Sequence, residues 1–274
     1  MTLTGRRLAL WFLPAAVGLA TAVVLGAGFA AALEGRLGER VDPSATPVPA
    51  PAAPAAAAPD GVFRIVALGD SLTRGAGDVA GGGGYPERVA AALRKAGLTV
   101  SVENLGVDGA ETGDLLRRAG EPDAQRAIAG AQLVLVSIGG NDLSHSLRTV
   151  VPGETAADPT APALTEASLN LQRILSVLRR SNPTAPIRLL GLYNPFPETF
   201  DRRTAKETLL KWNVALEEAS YAVRGARVVP TADLFDERPD RLSPDRFHPG
   251  PSGYGEIAAR ILSTLNVPAA PRKA

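Results

Sequence analysis

The sequence predicts an α/β fold: five parallel strands in one sheet, with helices covering both faces. Two observations carry this. Short apolar runs alternate five times with segments of helical spacing, which is the pattern of repeated strand–helix units. The runs are near-continuously apolar rather than alternating, as expected where a sheet is buried on both sides. In such a sheet the crossovers are right-handed, so the C-terminal ends of all strands share one edge, and ligands bind there.

The first strand is "VFRIVAL", residues 62–68, bounded by glycine. "YPERVAAALRKAG" follows at 85–97, with proline near its start and glycine at its end, the punctuation of a helix. "TVSVENL" (99–105) is the second strand, and "ETGDLLRRAG" (111–120) a short helix. "AQLVLVSIG" (131–139) is the third and most apolar strand. Leu164, Ala167, Leu171, Ile174, Leu175 and Leu178 recur at helical spacing and define a long amphipathic helix that stops before Asn182-Pro183. "PIRLLGL" (186–192) is the fourth strand. Residues 204–223 form a helix with Ala205, Leu209, Trp212, Leu216 and Ala219 on one face. "ARVVP" (226–230) is the fifth strand, and "SGYGEIAARILSTL" (252–265) the closing helix.

Ahead of this region the chain has a different texture. Arg6 and Arg7 precede an uncharged apolar stretch, residues 8–33. As a helix it would span about 39 Å, longer than the ~30 Å hydrocarbon core of a bilayer. A retained membrane anchor is the expectation; the alternative is a signal peptide cut at Ala30–Ala32. Basic residues before the span place the bulk of the chain outside the cytoplasm. Residues 41–60, "VDPSATPVPAPAAPAAAAPD", read as a semi-rigid Pro/Ala spacer. The expected organisation is therefore an N-terminal hydrophobic helix at 1–33, a linker at 34–60, a catalytic domain at 61–268 and a tail at 269–274.

Composition excludes several classes of function. Lys plus Arg (29) nearly cancels Asp plus Glu (28), and no basic stripe runs along the sequence, so nucleic acid is not an expected partner. There are no cysteines, hence no disulfides, thiolate metal sites or cysteine nucleophile. With only His145 and His248 in the chain, no histidine-rich metal site is expected, and any histidine base is one of these two.

The segments after the strands meet at one edge. They are "GDSLT" with Ser71, "NLGVDGAET" with Gly106, "GGND" with Asn141, "YNPFPETF", and "SPDRFHPGPSGY" with Asp245 and His248. Ser71 alone could be a helix cap or part of a phosphate loop. The phosphate loop is disfavoured, because no Gly-Lys-Ser/Thr follows at Walker spacing. Thr73 stands where a Gly-x-Ser-x-Gly elbow would need glycine. The combined set suits acyl transfer. A serine hydroxyl needs a base, His248; an acid, Asp245, orients it; and the oxyanion needs fixed donors. The Ser71 and Gly106 amides and the Asn141 side chain are the expected donors.

These four blocks resemble those of the SGNH hydrolases, also called GDSL-type lipases or acylhydrolases, over about residues 62–265. The resemblance implies Ser71 as nucleophile, His248 and Asp245 as base and orienting acid, an oxyanion hole of Ser71, Gly106 and Asn141, and a flavodoxin-like three-layer sandwich. It implies no metal or organic cofactor. Family activities run over esterases, lysophospholipases, thioesterases and carbohydrate deacetylases. The expected function is an extracytoplasmic serine esterase or acylhydrolase of the lipase or lysophospholipase kind, with a small-molecule, lipid or glycan ester as the expected partner. A cell-envelope polysaccharide O-acetyl esterase, an acyltransferase and a non-catalytic envelope-binding domain are the alternatives.

Other residues are weighed individually. Tyr193, Phe196 and Phe200 follow the fourth strand, where they either pack the core or line an acyl pocket. His145 is close enough in sequence to Asn141 to touch substrate. Asp70 is expected to fix the loop around Ser71, and Asp142 to accept hydrogen bonds within its own turn. Glu111 is placed to open a helix. Asn213 is expected to hydrogen-bond to the catalytic loops.

Overall fold

A computed structural model describes residues 60–79, 81–148, 158, 160–195 and 202–266. The expected N-terminal helix and most of the linker lie outside these residues, as do Phe196 and Phe200. Among the described residues no helix is long and apolar enough to cross a membrane.

Five strands form one parallel sheet: β1 (Val62–Gly69), β2 (Thr99–Gly106), β3 (Leu133–Ser137), β4 (Ile187–Leu190) and β5 (Ala226–Val229). Their order is β2-β1-β3-β4-β5. This is the doubly wound flavodoxin-like order, in which the chain reverses direction across the sheet between β1 and β3 and leaves a crevice above that point.

Nine helices accompany the strands among the described residues. α1 (Ser71–Arg74), α2 (Gly84–Lys95), α3 (Thr112–Gly120), α4 (Pro122–Gly130) and α5 (Gly140–Arg148) lie in the first half. α6 (Ala161–Ser181), α7 (Arg202–Tyr221), α8 (Ala232–Phe235) and α9 (Pro251–Ser263) complete the set. Four of them were not expected from the sequence: the short α1 and α8, and the longer α4 and α5. α4 opens on Pro122 as its first residue and buries Ala124 and Ile128. α5 begins inside the Gly139-Gly140 pair and buries Leu143 and Leu147 at i,i+4.

Strand side chains alternate between two cores, which accounts for the continuous apolar runs. Val66, Leu68, Val134, Val136 and Leu189 face α3, α4, α6 and α7, where Leu115, Ile128, Leu171 and Trp212 pack. Ile65, Ala67, Leu133, Leu135 and Leu190 face α2, α8 and α9, where Tyr85, Leu93, Phe235, Tyr254 and Ile261 pack. The layers are therefore helix, sheet, helix. Asn182 fastens the end of α6 to the start of β3. Its Nδ2 donates to the Ile128 and Ala131 carbonyls at 2.7 and 2.9 Å, and its Oδ1 accepts from the Ala185 amide at 2.8 Å.

Candidate active site

β1 delivers Ser71 to the C-terminal edge at the first position of α1. The residue that caps this helix is Asp70, not Ser71: Asp70 Oδ1 accepts from the Leu72 amide at 3.0 Å. The Ser71 hydroxyl is thereby left to the side chain facing it, and His248 Nε2 lies 2.9 Å from Ser71 Oγ. His248 Nδ1 lies 2.7 Å from Asp245 Oδ2. An ionised carboxylate only accepts, so it holds the proton on Nδ1 and leaves Nε2 as the free base.

Asp245 is itself fixed. Its Oδ1 accepts from Ser243 Oγ at 2.6 Å and from the Phe247 and His248 amides at 2.9 Å each. Burial alone would raise its pKa, but these hydrogen bonds and the His248 ring hold it well below the usual carboxylate range. The group is thus an anion at any working pH. Tyr193 supports the same loop: its hydroxyl donates to the Phe247 carbonyl at 2.7 Å, and its ring stacks on Phe235 with centroids 4.0 Å apart. On its far side the loop rests on Gly77. A Cβ there would lie 2.8 Å from His248 Cβ and 2.7 Å from the Pro249 carbonyl oxygen, at a φ of +84°.

Beneath Ser71 lies a buried polar chain. Tyr85 Oη is 2.6 Å from Thr73 Oγ1, which is 2.7 Å from Ser137 Oγ, which donates to Asp70 Oδ1 at 2.6 Å. The last acceptor is the buried Asp70 carboxylate. Burial pushes its pKa from 3.8 up to about 6 against the pull of its hydrogen bonds.

The expected oxyanion donors divide. The Ser71 amide is the first of α1 and has no intrahelical partner. Asn141 Nδ2 donates one proton to the Ala110 carbonyl at 2.9 Å, which orients the amide and leaves its second proton available. Gly106 corrects the expectation. It sits inside β2 opposite Gly69, and its amide is taken by Asn104 Oδ1 at 3.0 Å. Its lack of a side chain serves packing instead, since a Cβ there would lie 2.6 Å from the Arg74 nitrogen. The Asp108 and Gly109 amides are the ones without an acceptor in this stretch, and Gly109 takes the third position of the turn closed by Ala110 N to Val107 O (3.1 Å). Its φ of +76° explains why glycine is needed there.

α5 presents two faces. Asp142 and His145 turn toward residues 110–112, whereas Gly140, Leu143, Ser144 and Leu147 line a cavity; Asn141 bonds to the Ala110 carbonyl and also lines the cavity. His145 accordingly meets Glu111, with Nδ1 2.5 Å from Oε1, and its exposed ring is not part of the cavity wall, contrary to expectation. Asp142 is an acceptor, but its partner is across the fold rather than in its own turn. It takes the Thr112 amide at 3.1 Å and the Thr112 hydroxyl at 2.6 Å. Glu111 opens α3 in a capping box with Asp114. Asn213 holds both backbone groups of Leu192, with its Oδ1 2.8 Å from the amide and its Nδ2 3.0 Å from the carbonyl oxygen.

A cavity opens beside Ser71. Leu143, Leu147, Leu192, Pro195 and Leu209 form its apolar wall, with Ser71 and Asn141 at its polar end. Tyr193 lines it as well, while its buried ring also packs in the core. Leu143 and Leu147 were missed by sequence reasoning, although their i,i+4 spacing was there to be seen.

Comparison with known proteins agrees with this picture. Residues 67–255 match the GDSL-like lipase/acylhydrolase family. The chain is 34% identical over 221 residues to the uncharacterized protein YpmR of Bacillus subtilis, covering 76% of this chain and 84% of that one. It is 28% identical over 205 residues to the spore germination lipase LipC of Bacillus licheniformis, covering 73% and 94%. Among solved structures, the lipase Lip_vut3 from a goat rumen metagenome superposes with a TM-score of 0.65 at 26% identity, over 74% of this chain and 97% of that one.

Proposed function

The chain belongs to the GDSL-like lipase/acylhydrolase family, the SGNH serine hydrolases of carboxylic esters, and on that premise we propose a substrate and a mechanism. Ser71 Oγ attacks the ester carbonyl while His248 Nε2 takes its proton. The Asp245 carboxylate stabilises the imidazolium. The oxyanion is met by the Ser71 amide, the Gly109 amide and the second proton of Asn141 Nδ2. His248 then returns the proton to the departing alcohol, leaving Ser71 acylated. Water, deprotonated by His248, releases the acid and restores Ser71.

The substrate proposed is an ester of an aliphatic acyl chain longer than acetyl. One observation carries this: the cavity that opens from Ser71 is walled by leucines and a proline, a lining that favours an aliphatic chain. The place of action proposed is outside the cytoplasmic membrane, with residues 8–33 as tether; the charge pattern around that stretch supports it. A fluorophosphonate probe should label the wild type and leave Ser71→Ala unlabelled. A panel of esters from acetyl to long-chain acyl should show kcat/KM rising beyond acetyl. Highest kcat/KM on acetyl esters would defeat the substrate reading while leaving the nucleophile in place.

A further inference from the structure

Ten described arginines lie within ion-pair distance of a carboxylate. Of those with no such partner among the described residues, the fold gathers Arg179, Arg180, Arg188, Arg224 and Arg227 at one place. Arg188 on β4 and Arg227 on β5 are register partners, so they sit side by side on the same face of the sheet. Arg188 Nη1 donates to the Gly225 carbonyl at 3.3 Å. A Cβ on Gly225 would lie 3.3 Å from Arg179 Nη2, and Arg224 is the next residue along the chain. Arg180 follows Arg179 at the exposed end of α6.

The charges are felt as mutual repulsion. Desolvation and then Arg227 lower the pKa of Arg188 to about 10, and desolvation and then Arg224 lower that of Arg179. Arg188 is buried and spends its protons on the Ile187, Gly225 and Thr264 carbonyls and the Thr264 hydroxyl. Arg180, Arg224 and Arg227 are exposed. In a chain of net charge +1 this is a local excess that nothing within the described fold neutralises.

Position supplies the partner. The cluster lies at the N-terminal edge of the parallel sheet, opposite the edge that carries Ser71. Both ends of the domain leave from the cluster's edge: Val62 starts β1 there, and Thr264, held by Arg188, ends α9 there. The chain ahead of residue 60 contains the apolar stretch read above as a tether. We infer that this arginine edge docks on the anionic lipid headgroups of the membrane to which the chain is tethered, turning the Ser71 edge away from the bilayer. Lipid phosphates complement guanidinium groups in charge and geometry, and attraction to an anionic leaflet acts within about one Debye length, ~10 Å at 0.1 M salt. The inference rests on the tether reading.

The chain lacks cysteine, so single labels can be placed without background. Ala222→Cys marks the arginine edge and Val79→Cys, 76% exposed and near the His248 loop, the opposite one. Full-length labelled protein is reconstituted into vesicles of phosphatidylcholine alone or with phosphatidylglycerol, each carrying a lipid energy-transfer acceptor. Transfer from the 222 label is expected to rise about threefold on the anionic vesicles and to fall back as salt approaches 1 M. Arg180→Gln, Arg224→Gln and Arg227→Gln together should abolish the rise, and the three Lys replacements should keep it. Transfer from the 79 label should stay low throughout. Equal transfer on both lipids, or a rise that survives the triple Gln variant, would overturn the docking. So would binding of a soluble DNA duplex that the triple variant loses while its vesicle transfer is unchanged. A chain that fails to float with neutral vesicles defeats the tether alone; docking is then read from flotation on anionic vesicles, where binding lost in the triple variant supports it and no binding overturns it.

Discussion

Ser137 donates to Asp70 across 2.6 Å, tying the end of β3 to the turn that presents Ser71. The same Ser137 oxygen accepts from the Thr73 amide at 3.1 Å. Ser137→Ala removes both bonds, and the one to Thr73 Oγ1, from a site that is 1% exposed. The expected cost is about 1–3 kcal/mol of stability, seen as a lower urea midpoint with unchanged slope. A midpoint equal to wild type would remove this pair from the support of the turn.

Asp70 also sets a pH dependence. Its folded pKa, about 6, is higher than its ordinary 3.8, so the folded state binds the proton more tightly than the unfolded chain does. The stability it contributes is complete below the ordinary value and is lost as pH rises through the folded value. The stability of wild type relative to Asp70→Asn should therefore fall by about 1–3 kcal/mol between pH 4 and pH 7. Denaturant unfolding of both proteins at the two pH values checks this; a constant difference would refute it.

Asn141→Ala should lower kcat by about 10²–10³ with little change in KM, as expected for loss of one oxyanion donor. Gly106→Ala should behave differently. Its new Cβ would press on the Arg74 nitrogen, so stability falls, and kcat of the protein that remains folded changes less than in Asn141→Ala. Steady-state kinetics normalised to active-site titration separate the two.

Gly77→Ala places a methyl against the backbone of the His248 loop at a φ that side chains avoid. His248 must shift relative to Ser71. A kcat reduced at least about tenfold with KM retained is expected, since displacements of this order in a catalytic group are costly. Unchanged kcat would show that the loop position tolerates the added methyl.

Leu147→Trp fills the cavity wall. Hydrolysis of octanoyl esters should drop by about 10–100-fold in kcat/KM, while acetyl ester hydrolysis changes much less. A uniform loss across the ester series would place Leu147 outside the acyl site.

Much of this architecture was legible in the sequence because burial on both faces makes each strand a compact apolar word. β3 and β4 are fully buried, and both were recognisable. β2, at the sheet edge and half exposed, has a less apolar run than β3 or β4. α5 was hidden because it starts on Gly139-Gly140, residues that read as a turn. The grouping of Ser71, His248 and Asp245 followed from topology, since parallel strands leave their loops at one edge. Gly106 was misassigned because two glycines, at 106 and 109, stand in one short stretch. Only the hydrogen bond that the Gly106 amide donates to Asn104 Oδ1 tells which amide is spent. The arginine cluster was invisible for a related reason: its members come from residues 179 to 227 and meet only through strand register and one turn.

The two-sided character of α5 constrains how such an enzyme can diversify. Asn141 and Leu147 are little more than a turn and a half apart on one nine-residue helix, one facing the proposed oxyanion and the other the proposed acyl chain. Any substitution that tilts this helix to admit a bulkier substrate also moves the donor that sets the rate. Chain-length preference and turnover are mechanically geared on that side of the cavity. Leu209 comes from α7, which carries no proposed catalytic group, so an attempt to change substrate range while keeping speed should begin there.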